Sequence, residues 1–550
     1  METPTQSETP TESAVVTESE AQAPEHDPSV PDVTLLEDKF PEWFRLRAST
    51  TGFVLLLCLT YVFFNLIPLS HTDLWGHLAY GRLIVADRAI PKTEPLMPLS
   101  EGVPFVDGAW LTQVMGYGAY SVGGRAAMAC LFALAISVSC GLIMMRARQR
   151  TGSNLFALLA FGMLVWVDWK QFMIIRPQLA GLVMFCGLFS ILTSRKWHKS
   201  LWAMIPIGFA LWANMHGSFM VGLGMLGAFT VGRAIDLIRR TGKLKMLFRD
   251  RWLFRYFILT ELAAAATLLN PYGLALHAEV LAFSSNSNLP HIVEWMPLSI
   301  RMFQGQAAAA AALMLIVFYR FSPRRASTTE LILLAGLGAS ALWTSRMLLW
   351  WAPIAAFYIA LHGQAACRHW WKSEPSTEPP RTASLWTIVS IGVMFLAFEI
   401  SHMGNVSVDL VTGKTKKARE RMNRVAVSEM TPVGVIGYLH KVYGSEKPPT
   451  GLVFNTYEMG DYLTFAGPRN MNLFLNSHAH LVPEDVWNAY MNISELGRGW
   501  QENLSRYGVN MVIIDNLTRR SAISHFVDSG EWTPDYADAN CTVLIRKTPI

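Results

Sequence analysis

The chain has 550 residues, 51% hydrophobic and only 16% charged, with a formal net charge of +5. A soluble domain of this size carries nearer a quarter charged residues, so the composition excludes an ordinary water-soluble enzyme and points to lipid. The small net charge gives no basis for a nucleic-acid partner, and the 19 Trp and 29 Phe suit aromatic belts at two membrane interfaces.

Residues 1–40 hold ten Asp and Glu against one Lys and show no apolar period. Residues 1–45 are therefore predicted to be a disordered acidic tail. The tail lacks the basic start of a signal peptide, so the first apolar run reads as an uncleaved signal-anchor. Apolar segments follow at roughly 50–68, 126–145, 154–168, 178–194, 201–213, 218–236, 253–269, 304–319, 329–344, 347–361 and 384–401. They predict an α-helical polytopic membrane protein with about eleven transmembrane helices, several shorter than the roughly 20 residues of a perpendicular span. Lys and Arg cluster at 146–150, 195–199, 239–255, 320–325 and 368–381, all on one side of this layout. The positive-inside rule makes that side, and the N-terminal tail, cytoplasmic. An odd span count then puts the C-terminus outside a cell (inner) membrane.

The expected organisation is a transmembrane domain over 46–403 with an outer loop at 69–124, followed by an extracytoplasmic α/β domain over 404–550. In that last region Lys414–Arg424 is basic and amphipathic, and Thr431-Pro432 signals a helix start. Residues 451–455, 509–514 and 542–546 read as strands, and Trp500–Tyr507 has helical spacing. The run Tyr457–Leu463, holding Glu458 and Asp461, reads either as a second catalytic cluster or as a strand-to-helix junction capped by Asp461. The six cysteines are scattered, with no CxxC, so no disulfide framework is expected.

Chemistry is sought first in the polar run Ser70–His77, because ionisable groups at a membrane mouth are costly unless they line a wet cavity or meet a ligand. Asp73 and His77 lie four residues apart and share a helix face. Together they are candidates for a base and its orienting partner, or for ligands of a divalent cation such as Mg or Mn. The plainer alternative is that Asp73 caps an interfacial helix running to about Ala86. Asp107 and Trp110 form a second polar-aromatic cluster in the same loop. Arg176 suits a phosphate oxygen, with Lys170 beside it as a point charge or a snorkelling partner. Asn214 and His216 sit at a turn between apolar stretches and must find polar partners. Glu294, Arg301 and Arg346 fall on the same outer side and complete a set suited to an anionic, lipid-linked substrate. The chain has no phosphate-cradling glycine loop, Walker lysine, HExxH or GxSxG, so no nucleotide is expected. The energy for any transfer then has to reside in the substrate.

Taken together, these motifs resemble a group of bacterial polytopic proteins related to the GT-C glycosyltransferases, which include protein O-mannosyltransferases and the aminoarabinose transferase of lipid A. The resemblance rests on Asp73–His77, Gly81–Ile84, Ala89–Pro95, Gly102–Val106 with Trp110-Leu111, Arg176-Pro177-Gln178, Trp212–Gly217, Asn270–Gly273 and Gly460–Leu463. It covers most of residues 50–520. It implies a polyprenyl-phosphate-linked sugar as donor, inverting transfer to an unspecified acceptor on the outer face, and an acidic residue of the first loop as base or metal ligand. Only Asp73 carries that last role over. A transporter or flippase of lipid-linked glycans, and a non-catalytic envelope assembly protein, are the rival readings; Asp168 and Glu261 are the intramembrane carboxylates a transporter would use.

Overall fold

The computed structural model describes residues 38–70, 73–371 and 382–550. The acidic tail to residue 37, His71 and Thr72 of the polar run, and the end of the basic stretch at 372–381 lie outside the described residues. Every predicted apolar segment falls on a helix. The first half of the chain forms α1 (Ala48–Leu66), α2 (Asp73–Asp87), α3 (Trp110–Thr151), α4 (Asn154–Val167), the single turn α5 (Trp169–Phe172), α6 (Gln178–Leu192), α7 (Leu201–Met215) and α8 (Phe219–Thr241). There follow α9 (Arg251–Ala266), α10 (Leu274–Phe283), α11 (Phe303–Phe321), α12 (Thr328–Trp343), α13 (Leu348–Trp371) and α14 (Ser384–Ile400).

Local chemistry sets many of these ends. α3 and α8 carry arginines in their last turns and stop at Gly152 and Gly242, both left-handed. Cations there oppose the negative helix end, and glycine takes positive φ without a Cβ clash. Asp250 caps α9 through the Leu253 amide, and Ser327 caps α12 through the Glu330 amide. Three helices, α1, α3 and α8, are long and apolar enough by themselves to cross a bilayer. The bent pair formed by α14 and α15 (His402–Val411), which meet at 85°, is a fourth candidate. Outward faces of the bundle are apolar: Leu55, Leu59 and Phe63 on α1, Ile391 and Phe395 on α14. Helices meeting hydrocarbon rather than water present such faces.

The remaining C-terminal elements are α16 (Thr415–Met422), α17 (Val433–Tyr443), β3 (Leu452–Asn455), α18 (Tyr457–Ala466), α19 (Glu484–Ser494), α20 (Trp500–Arg506), β4 (Val509–Asp515), α21 (Arg520–Asp528), β5 (Trp532–Ala537) and β6 (Cys541–Arg546). β1 (Leu46–Arg47) and β2 (Thr382–Ala383) form a separate two-residue ribbon that ties the start of α1 to that of α14. The main sheet runs β3-β4-β6-β5; β3 and β4 are parallel and the other pairs antiparallel. β4 is buried along its whole length, as a central strand covered on both faces must be. Two expectations shift here. α17 begins at Val433 with Pro432 in the cap position. Asp461 lies inside α18 and accepts from the Ser477 amide at 3.2 Å instead of opening the helix.

The outer loop and the C-terminal unit are not separate bodies. Tyr80, Met97 and Phe105 of the loop bury in one core with Phe454, Leu475 and Trp487. α2 packs along α18 so closely that a Cβ on Gly76 would come within 2.7 Å of the Asp461 carboxyl carbon. Loop and C-terminal unit pack together over one end of the helix bundle.

Candidate active site

Asp73 opens α2, and His77 follows one turn later on the same face. Beneath them, the turn between α5 and α6 delivers Arg176, whose side chain is only 4% exposed. Its guanidinium pairs with Asp73 Oδ2 through Nε at 2.7 Å and grips both carboxylate oxygens of Glu294 through its two terminal nitrogens. Glu294 sits in the short turn Val293–Trp295, fixed because Ser345 Oγ donates to its carbonyl at 2.9 Å. Sequence reasoning gave Arg176 to a phosphate. The structure shows it paired with two carboxylates 221 residues apart in sequence.

The second arginine behaves differently. Arg346, in the turn before α13, has its Nε on the neutral amide oxygen of Gln178 at 3.2 Å and its guanidinium 5.1 Å from the Trp295 ring. Those are its described contacts, and neither cancels its charge. Arg176 stands close enough to oppose it electrostatically, while Glu294 and Asp73 favour it from further off.

Four imidazoles surround this pair. His77 Nδ1 accepts from Gln113 Nε2 at 3.2 Å, and the same amide nitrogen donates to Asp107 Oδ1 at 3.0 Å. The ring's proton is thereby placed on Nε2. His77 stacks edge-on to His478 with ring centres 5.7 Å apart, and His478 is 5.6 Å from His480. His216 Nδ1 accepts from the Ser218 amide at 3.0 Å. Burial pushes the pKa of His77 and of His216 down to about 3, reinforced by neighbouring imidazoles and by Arg346 and Arg176. His478 falls to about 4 through burial, with Asp73 working the other way, and His480 falls well below the usual range. All four are neutral at pH 7. His216, expected to bind phosphate, can do so only as a neutral N–H donor.

Asp107 is buried and pushed up to about 7 by desolvation, against the opposing bonds from the Ala109 amide and Gln113. Its own amide donates to the Tyr272 hydroxyl, which gives the Asn270–Gly273 turn a second job beyond reversing the chain. Asn214 is consumed by the fold: it accepts from Trp110 Nε1 at 2.9 Å and donates to the Ala210 and Leu269 carbonyls. Asn214 and Trp110 tie the loop to the bundle. Arg301 is exposed and outside the cluster among the described contacts. Lys170 is exposed as well, and of the transporter's carboxylates Asp168 is buried while Glu261 faces outward.

Sequence reasoning missed Gln113, Gln178, Tyr457, His478 and His480. Tyr457 starts α18, and Asp73 and Glu294 both raise its hydroxyl pKa beyond the effect of burial and Glu458, which places it over the ion triplet. The two imidazoles of Asn476–Leu481, alternating in an otherwise apolar stretch, were the available signal.

A divalent cation does not suit the described donors. Asp73 and Glu294 both face the Arg176 guanidinium, and no three His, Cys, Asp or Glu side chains converge as ligands among the described residues. No protein-family model matches the chain, and no curated protein matches it in sequence. Solved structures do match in fold. The apo oligosaccharyltransferase of Archaeoglobus fulgidus is 12% identical with a TM-score of 0.50, covering 86% of this chain and 70% of that one. ArnT from Cupriavidus metallidurans in the apo state is 11% identical with a TM-score of 0.50, covering 90% of this chain and 98% of that one.

Proposed function

We propose that this chain, whose fold is that of the GT-C glycosyltransferases, moves a sugar from a lipid-phosphate donor to an acceptor hydroxyl at the outer ends of its helices. The observation that carries the reading is Arg346: a half-buried cation with only neutral direct partners, within electrostatic reach of a carboxylate pinned by a different arginine. Such a cation is matched by an anionic group brought in from outside, and a phosphate is the group its fork geometry suits.

In this reading the donor phosphate rests on Arg346, with the neutral N–H groups of His77 and His216 as further donors. Asp73, held ionised and oriented by Arg176, takes the acceptor's proton as its oxygen attacks the anomeric carbon. A C–O bond forms to the acceptor, and the bond from that carbon to the phosphate oxygen breaks, its electron pair leaving with the lipid phosphate. Arg346 stabilises the charge that develops there. Glu294 balances Arg176, so that the guanidinium orients Asp73 without adding net positive charge beside it. The lid formed by the loop and the C-terminal unit excludes water, which would otherwise compete as acceptor.

The test uses purified protein and a radiolabelled polyprenyl-phosphate sugar, following loss of label from the lipid. Turnover by the parent that disappears in Asp73→Asn supports the reading. Unchanged turnover in that variant, with insertion intact, reduces Asp73 to a helix cap and removes the catalytic assignment.

A further inference from the structure

At the opposite end of the bundle the helix ends enclose a second polar cavity, of about 260 Å³, that plays no part in the proposed transfer. Its walls come from α3, α6, α8, α9, α12 and α13, and four arginines reach it: Arg150, Arg233, Arg240 and Arg324. Two of them have carboxylate partners, Arg233 with Asp250 at 2.7 Å and Arg324 with Glu330 at 3.7 Å. The one carboxylate lining the cavity, Asp236, accepts from the amide and hydroxyl of Thr328.

Arg150 and Arg240 have no ion pair among the described residues. Arg150 spends one nitrogen on the Thr193 carbonyl at 2.7 Å and stands within electrostatic reach of Arg146, Arg324 and Arg195. Arg146 also binds Thr193 rather than a carboxylate. The cavity therefore concentrates positive charge that the protein leaves unbalanced, on a half-buried Arg150 and an exposed Arg240, and such a field attracts an anion.

The depth of the cavity identifies the anion's source. Below the arginines the walls turn apolar, with Phe229, Phe357 and Leu361. Beside it Arg255 lies between the rings of Trp197 and Trp252, at 4.8 and 5.1 Å, next to Trp202. Tryptophans with arginines at helix ends mark the headgroup level of a bilayer. A volume of about 260 Å³ accommodates a phosphodiester head.

We infer that the cavity between the arginine-bearing ends of α3, α6, α8 and α12 is a binding site for the phosphodiester headgroup of an anionic phospholipid. Arg150 and Arg240 supply the charge, and the hydroxyls of Ser194 and Ser327 line the same space. The site lies at the end of the bundle opposite Asp73 and does not depend on the transfer reading. A lipid held there joins six helix ends, several of them too short to span unaided.

The experiment places wild-type protein in phosphatidylcholine nanodiscs and titrates phosphatidylglycerol, reading retained lipid by native mass spectrometry. Arg240→Gln and the double variant Arg150→Gln/Arg240→Gln are run beside it. With each cation near the headgroups worth about fivefold, the expected weakening is about fivefold for the single variant and about 25-fold for the double. Arg240 is exposed on the last turn of α8, so its variant folds even if the double one does not, and it then decides alone. Equal retention by wild type and Arg240→Gln, or equal retention of phosphatidylcholine and phosphatidylglycerol, overturns the site. Inorganic phosphate displacing the lipid at millimolar concentration would overturn the lipid as occupant and leave a free-phosphate site.

Discussion

Two buried carboxylate clusters sit at opposite ends of the bundle, and they are built to different standards. At the arginine-rich end Glu330 is fully buried; its Oε1 takes His362 Nε2 at 2.6 Å and the Tyr319 hydroxyl, while Arg324 approaches Oε2. The second nitrogen of His362 is met by Ser322 at 3.0 Å. That cluster is nearly closed on itself: Oε1 of Glu330 is doubly bonded, and Oε2, which accepts no hydrogen bond among the described residues, faces Arg324 across a 3.7 Å ion pair. At the outer end Asp73 and Glu294 neutralise Arg176, yet Arg346 beside them keeps its charge, and the buried Nε2 of Gln178 and Oε1 of Gln113 lack partners. Burial and ionisability are common to both ends. What separates a structural cluster from a reactive one is the residue of unsatisfied capacity, because buried polar groups are normally paired.

The contrast breaks most sharply at Asp73. Asp73→Asn keeps shape and hydrogen bonding but removes the base, and is expected to lower transfer by about 10²–10⁴, with the melting temperature little changed. Arg346→Gln comes next. Losing a charge-assisted contact to the donor should weaken donor binding by about 10–100-fold, seen in KM, with folding preserved because the residue neutralises nothing in the protein. A fall in melting temperature without a KM change would make Arg346 structural and erase the difference between the two ends.

Glu330→Gln is the mirror experiment. It leaves His362 and Tyr319 without their shared acceptor charge and should cost about 1–3 kcal/mol of stability, while transfer per folded molecule stays at the parental level. The smallest expected effect is in pH dependence. His77, His216 and His478 have folded pKa values near 3–4 against about 6.5 when unfolded, so the unfolded chain takes up protons first. Their contribution is complete above about pH 6.5 and fades as the pH falls toward 4. Asp107 opposes them: raised to about 7 from roughly 3.9, it gains stability as the pH falls over the same window. Three imidazoles outweigh one carboxyl, so the melting temperature should drop from pH 7 to pH 5, and His478→Asn should flatten that drop. A flat profile for the parent would show these rings to be solvated.

The elements were largely legible in the sequence and the site only in part, for one physical reason. A helix announces itself within about fifteen residues, and α2 could be read from Asp73 to near Asp87 because cap and amphipathic spacing are local. β5 escaped notice because it is an edge strand, mostly exposed and carrying Pro534. Arg176 was singled out as a phosphate contact or an interfacial snorkelling residue, and nothing near it in sequence shows that Glu294 will take both of its terminal nitrogens. The same holds for His478: its partners, His77 and Tyr80, lie some 400 residues away.

α3 runs 42 residues and breaks direction once, at Gly124, where φ 57° and ψ −146° admit only glycine and the backbone rests on Met422 and Asn423. Its longer arm, from Gly124 to Thr151, is about 40 Å, more than the roughly 30 Å of a bilayer's hydrocarbon, and ends in the arginines that grip Thr193. Its shorter arm carries Gln113, which orients His77 and Asp107. The helix is a lever with a glycine fulcrum. A thinner or thicker membrane is expected to tilt the long arm, and the short arm, through Gln113, joins that arm to His77 and Asp107, so in the proposed transfer the site is tied to bilayer thickness.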